Sequence, residues 1–116
     1  MSWDPVYRFV KKIPRGRVMT YGGVAKALRL RGGARAVGYA MAAAPNGRGI
    51  PWHRVLGASG HIRVPDSHAS LQRRLLETEA VAFDGGVVDL EIYGWTRAKR
   101  KAPRSKNRRT QARKRK

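Results

Sequence analysis

TYGGVAKALRLRGGARAVGYAM, residues 20–41, holds two helical patterns joined by a glycine turn. Thr20 suits the N-cap, because its hydroxyl can accept from an orphan amide of the first turn. Val24, Ala27 and Leu28 then form an apolar stripe at helical spacing. Arg31-Gly32-Gly33 gives a tight turn, and ARAVGYAMAAA, residues 34–44, gives the next helix, stopped by Pro45. Two short helices in this order have the outline of a helix-turn-helix. The second is slim: Ala34, Gly38 and Met41 share one face, with Ala36 and Ala40 close by. Such a helix can pack tightly in a core, or it can enter a nucleic-acid groove with Arg35 and Tyr39 projecting. Composition leaves both open.

Working outward, DPVYRFVKKI (residues 4–13) predicts a first helix with Asp4 as N-cap and Pro5 at the first helical position. Val6, Phe9, Val10 and Ile13 make its apolar stripe, and Pro14 and Gly16 end it. Downstream, APNGRGIPWHRVL (44–56) is a loop, GASG (57–60) a turn and HIRV (61–64) a short extended piece. DSHASLQRRLLETEAV (66–81) predicts a helix capped by Asp66 or Ser67, with Leu71, Leu75, Leu76 and Thr78 turned partly inward. FDGGVVDLEIYGW (83–95) closes the domain with a turn at Asp84-Gly85-Gly86, a short strand or coil, and Trp95 as a plug over the first helix. The expected fold is mainly α with short strands, in one domain of residues 1–96 without internal repeats.

Charge is the strongest bulk signal: 26 Lys and Arg stand against 7 Asp and Glu, a net +19. Residues 97–116 hold twelve bases, no acid and no large apolar side chain. That segment cannot bury enough surface to offset its chain entropy, so a disordered polybasic tail is expected. Residues 1–96 still carry fourteen bases against seven acids. A basic domain followed by a basic tail points to a polyanion, nucleic acid first. An anionic membrane surface fits poorly, since the tail offers nothing to insert. No apolar run approaches the ~20 residues of a membrane span, and no signal-peptide core is present, so a cytoplasmic, nucleoid-associated protein is expected.

With no cysteine, disulfides, thiolate metal sites and thiol nucleophiles are excluded. Ser59, Ser67 and Ser70 lack the spacing of a nucleophile elbow. His53, His61 and His68 are too few and too unsupported for a zinc site, so they read as surface or hydrogen-bonded structural residues. No metal or cofactor is expected.

The ordered set TYGGVAKAL, GARAVGYAM, PNGRGIPWHRVLGASG and LLETE resembles the DNA-binding domain of the O6-alkylguanine-DNA alkyltransferase family, a winged helix-turn-helix-like fold. That family's motif is Pro-Cys-His-Arg-Val, whose cysteine takes the alkyl group from a guanine flipped out of the duplex. Here Trp52 stands in the cysteine position, as in the alkyltransferase-like proteins, which resemble the repair enzyme but cannot perform the transfer. The resemblance implies that Arg35 is the arginine finger filling the gap left by the flipped nucleotide. It implies that Tyr21 sits against the phosphate 3′ of the target. Ala34, Ala36 and Gly38 match the small residues that let the recognition helix enter the minor groove, while Tyr39 stands where the enzymes often carry glycine. Asn46, His53, Arg54 and Glu79 match polar residues around the acceptor cysteine; without a thiol they are read as scaffold.

For the lesion pocket, the resemblance implies the π-face of Trp52 and the main chain at Trp52 and Val55. Pro65 falls where the enzymes carry a pocket tyrosine, which leaves Arg63 or Asp66 to face the lesion. The implied function is a non-enzymatic, monomeric sensor that binds duplex DNA, flips O6-alkylguanine and signals to nucleotide excision repair. Two rivals stand beside it. One is a general nucleoid-type DNA or RNA binder working through its tail. The other is an enzyme, either a true methyltransferase, against which the missing cysteine argues, or a base hydrolase relying on Asp66.

Overall fold

α1 (Asp4–Val10) buries Val6, Phe9 and Val10 on one side, and Ile13 extends that stripe past the helix end. Asp4 is not the cap. Trp3 occupies that position, and the Ser2 hydroxyl accepts from the Asp4 amide at 3.0 Å. Asp4 lies inside the first turn, where its charge favours the helix N-terminus, and it pairs with Arg48 at 3.6 Å. A computed structural model describes residues 2–45 and 47–95 of the chain. The segment expected as a tail lies outside the described residues.

α2 (Tyr21–Leu28) is capped by Thr20, whose Oγ1 accepts from the Gly23 amide at 2.9 Å. Val24 and Ala25 are buried and Leu28 is half-buried. Ala27, expected inward, is exposed, because the buried face runs through i, i+1 and i+4. Arg29 takes the left-handed conformation (φ 51°) and sends the Leu30 amide back to the Ala25 carbonyl. That 6→1 bond closes the helix in a Schellman motif. α3 (Gly33–Ala42) follows, burying Ala36, Val37, Ala40 and Met41. The Tyr7 hydroxyl donates to the Ala40 carbonyl at 2.9 Å and pins α1 to α3.

A parallel pair then joins distant parts of the chain: β1 (Met19–Thr20) lies beside β2 (Val55–Leu56), with Met19 opposite Val55. It sets the start of α2 next to the 3₁₀ turn Trp52–Arg54. HIRV supplies only an isolated bridge between His61 and Val87. α4 (Asp66–Thr78) follows Pro65, with neither Asp66 nor Ser67 acting as side-chain cap. Its inward residues are Gln72 and Leu76; Leu71 (43% exposed) and Thr78 face out. β3 (Phe83–Asp84) and β4 (Val87–Val88) form a hairpin around Gly85-Gly86. The chain ends its described part in α5 (Leu90–Tyr93), one turn too short to leave a periodic signal, capped by Asp89. Trp95 is buried as expected, its ring 6.1 Å from that of Phe9.

Two apolar clusters result. The larger joins α1, α2 and α3 with Ile50, Val55 and Trp95, and Trp52 and Tyr21 pack against its edge. The smaller joins Val18, Leu56, Leu76, Val81 and Val88 under the hairpin.

α4 also closes in a Schellman motif, with the Val81 amide on the Leu76 carbonyl at 3.0 Å and Ala80 left-handed at φ 70°. A Cβ is strained there. Gly60 is the opposite case: at φ 89°, a Cβ would collide with the Val88 carbonyl oxygen. Ala80→Gly should therefore raise unfolding stability by about 1 kcal/mol, whereas Gly60→Ala should lower it by more than about 2 kcal/mol. Urea denaturation of both variants checks the pair.

Candidate nucleic-acid interface

Between Asp4 and Asp66 the sequence contains no acid and twelve bases. Lys26, Arg29, Arg31, Arg35 and Arg48 in that span are all exposed, so the outer side of α2 and α3 is free of negative charge. The acids Asp84, Asp89 and Glu91 gather instead along a shallow depression at the hairpin and α5, a surface ill-suited to phosphate.

On α3, Ala34, Arg35 and Tyr39 are exposed, Tyr39 at 61%, and Gly38 lies between them. A Cβ at Gly38 would meet open space, so no part of this chain requires glycine there. Ala36 and Met41 do not belong to this face; both are 8% exposed and turn into the core, because the helix uses them to pack on its neighbours. The outward surface is thus Ala34, Arg35, Gly38 and Tyr39. At the other end of the motif, Tyr21 is half-buried at the start of α2. Burial pushes its phenol pKa up, which keeps the hydroxyl a neutral donor.

The Trp52–Arg54 turn is held by one carboxylate. Glu79, its side chain 5% exposed, accepts from Arg54 Nε at 3.0 Å and Arg54 Nη2 at 2.7 Å, pairs with His53 Nε2 at 2.8 Å, and accepts from the Gly16 amide at 3.1 Å. Arg54 Nη1 continues to the Ile13 carbonyl at 2.9 Å. Burial alone would raise the Glu79 pKa. The hydrogen bonds from Arg54, His53 and Gly16, with the charge of His53, outweigh it and hold the group at about 2. Gln72, fully buried, adds a second tie: its Nε2 donates to the carbonyls of His53 (3.1 Å) and Val55 (3.0 Å).

Trp52 itself is half-buried, and its ring meets those of His53 and His68 nearly at right angles, with centroids 6.2 and 6.1 Å away. Its backbone is already engaged, the amide on Ile50 and the carbonyl on the Val55 amide. Val55 is 0% exposed, so its side chain belongs to the core and not to a pocket wall. Its carbonyl is bound by Gln72. Arg63 is exposed and its stem lies across Gly57, where a Cβ would collide with it. Asp66 is exposed at the start of α4 and Pro65 precedes it. Asn46 lies outside the described residues.

Sequence reasoning missed two of these side chains. Gln72 and His68 sit four residues apart on α4, one face of a helix, and the Leu spacing that orients the helix does not mark them. A buried glutamine in an amphipathic pattern was the available signal.

The sequence profile of the 6-O-methylguanine DNA methyltransferase DNA-binding domain matches residues 2–81. The DNA base-flipping protein of Escherichia coli is 40% identical over 91 residues, covering 78% of this chain and 70% of that protein. Alkyltransferase-like protein 1 of Schizosaccharomyces pombe is 41% identical over 81 residues, covering 68% and 75%. The crystal structure of S. pombe Atl1 with damaged DNA containing O6-carboxymethylguanine superposes with a TM-score of 0.72 at 34% identity, covering 83% of this chain and 99% of that one. The chain belongs to the alkyltransferase-like family. This chain spans only part of the length of the methyltransferases it matches. It covers 47% of the Mycobacterium tuberculosis OGT whose structure with DNA superposes at a TM-score of 0.60.

Within this alkyltransferase-like fold, Glu79 should act as a pH-dependent clasp. Its carboxyl titrates at about 2 folded, against a reference of 4.5, so its contribution is complete above roughly pH 5 and disappears as pH falls toward 2. Glu79→Gln should cost on the order of 2–4 kcal/mol at pH 7. The gap between wild type and variant should shrink steadily below pH 5 in denaturant titrations at stepped pH.

Proposed function

We propose that this protein is a non-enzymatic sensor of alkylated DNA, which turns O6-alkylguanine out of the duplex and holds it beside Trp52. The observation that carries this reading is Trp52: a half-buried indole on a rigidly tied turn, in a chain with no cysteine to accept an alkyl group. Its relatives' names, a base-flipping protein and an alkyltransferase-like protein seen with damaged DNA, support the same reading.

The steps follow from the residues. The acid-free side of α2 and α3 and the basic residues 97–116 draw the chain to the phosphate backbone. α3 enters the minor groove through Ala34, Gly38 and Tyr39, and the open space at Gly38 is taken up by DNA. Tyr21 donates its neutral hydroxyl to the phosphate 3′ of the target. Arg35, a planar cation, occupies the gap in the base stack. Flipping costs a few kcal/mol, and stacking on an aromatic returns about 1–3 kcal/mol per base. A base that pairs poorly opens more cheaply, and that difference supplies selectivity. Where an acceptor thiol would use His53 and Glu79 to lose its proton, here the pair bears on the shape of the Trp52 turn alone. Arg63 or Asp66 completes the lesion side. The protein works as a cytoplasmic monomer on the nucleoid, and the marked site is handed to nucleotide excision repair.

A fluorescent base analogue placed beside O6-methylguanine tests this. Wild-type protein should brighten it on binding, and Arg35→Ala should reduce that signal and weaken lesion preference by roughly tenfold. Intact mass should show no alkyl group on the protein. A dark reporter at saturation, or an alkylated protein, overturns the proposal.

A further inference from the structure

The Trp52 ring has a second aromatic neighbour that no part of the scheme above employs. His68 stands on the first turn of α4, on the same face as the buried Gln72 and Leu76, so the helix aims it toward the Trp52 turn. Its ring centroid is 6.1 Å from that of Trp52, with the planes at 85°. The corresponding approach of His53, at 6.2 Å, is different in kind, because His53 Nε2 is committed to Glu79. His68 is exposed, and its Nδ1 lies 3.0 Å from Ser67 Oγ. With that hydroxyl donating, we assign the ring hydrogen to Nε2. Among the described residues Nε2 has no hydrogen-bond partner.

We infer that His68 is a specificity residue of the lesion site, whose Nε2–H donates to the acceptor edge of a purine stacked on Trp52. Guanine presents two acceptors there, O6 and N7. N7 keeps its lone pair after O6-alkylation, whereas O6 becomes an ether carrying the alkyl group and N1 loses its hydrogen, so a donor to N7 holds the everted base by an atom that damage leaves unchanged. An intact guanine stays paired and stacked and does not reach this donor. The two ring planes are nearly perpendicular, so the imidazole is not stacked parallel on the indole. Arg63 and Asp66, the side chains expected there from the resemblance, are both exposed, and the stem of Arg63 lies across Gly57. This inference rests on the lesion-sensor reading and adds a contact to it.

The test compares wild type with His68→Phe, His68→Gln and His68→Ala, measuring affinity for O6-methylguanine and guanine duplexes at one salt concentration. Thermal melting of each variant checks that α4 is intact. Loss of one neutral hydrogen bond should reduce lesion preference about three- to tenfold in the Phe and Ala variants. Gln, which keeps a donor but not the ring, should restore most of it, and binding to plain duplex should be unchanged in all three. If Phe preserves the preference, ring packing alone matters and the donor role falls. If all three variants match wild type, His68 has no part in recognition. If wild type itself shows no preference, the sensor reading fails first, and the His68 variants are then compared on flipping fluorescence alone, where equal signals overturn the contact.

Discussion

A carboxylate removed from water must be satisfied on every side, and Glu79 achieves this by drawing together three separated parts of the chain. The Gly16 amide comes from the loop after α1, Arg54 and His53 from the Trp52 turn, and Glu79 itself from the end of α4. Loss of any one partner leaves a buried charge short of hydrogen bonds, which is far costlier than the pair is favourable. The clasp therefore defines the position of Trp52 more tightly than apolar packing at a half-buried site could. Ala80, left-handed in spite of its side chain, is where the backbone turns away once Glu79 is in place.

A second constraint works at a distance from the first. All the acids but Asp4 fall at residue 66 or later, and the bases of α2 and α3 have no internal partner among the described residues. Charge is thus kept for an outside ligand at the cost of internal pairing. Gly38 is kept open in the same way: glycine in a helix interior costs up to about 1 kcal/mol relative to alanine, and nothing in the chain fills the space. The parallel pair Met19–Val55 couples the two regions, since it ties the residue before the Thr20 cap to the residue after the Trp52 turn.

The helices were legible because their apolar residues repeat at helical spacing and their ends carry standard punctuation: Thr20 as cap, Pro5 in a first turn, Pro14 and Pro45 as stops. Trp95 over Phe9 was legible for the same reason, as a large apolar residue facing an already oriented stripe. Where two adjacent residues could both face inward, spacing failed. Ala25 is buried instead of Ala27, and Ala36 joins the core instead of the outward face of α3. Two-residue strands and the single turn of α5 are too short to show a period at all. The scaffold role of His53, Arg54 and Glu79 was visible only through family resemblance, because residues 25 and 26 positions apart carry no local signal of contact. His68, exposed, and Gln72, buried, lie four residues apart on one helix, and a polar residue among the leucines of α4 leaves no mark in an apolar pattern.

We propose that the tied Trp52 indole makes this chain a discriminating binder of damaged DNA. The most direct measurement is the equilibrium affinity of the full chain for two duplexes differing only in O6-methylation of one guanine, at matched ionic strength. Binding to the methylated duplex should be tighter by about tenfold or more, with the ratio preserved as salt weakens both affinities together. Equal affinities across the salt range would contradict it.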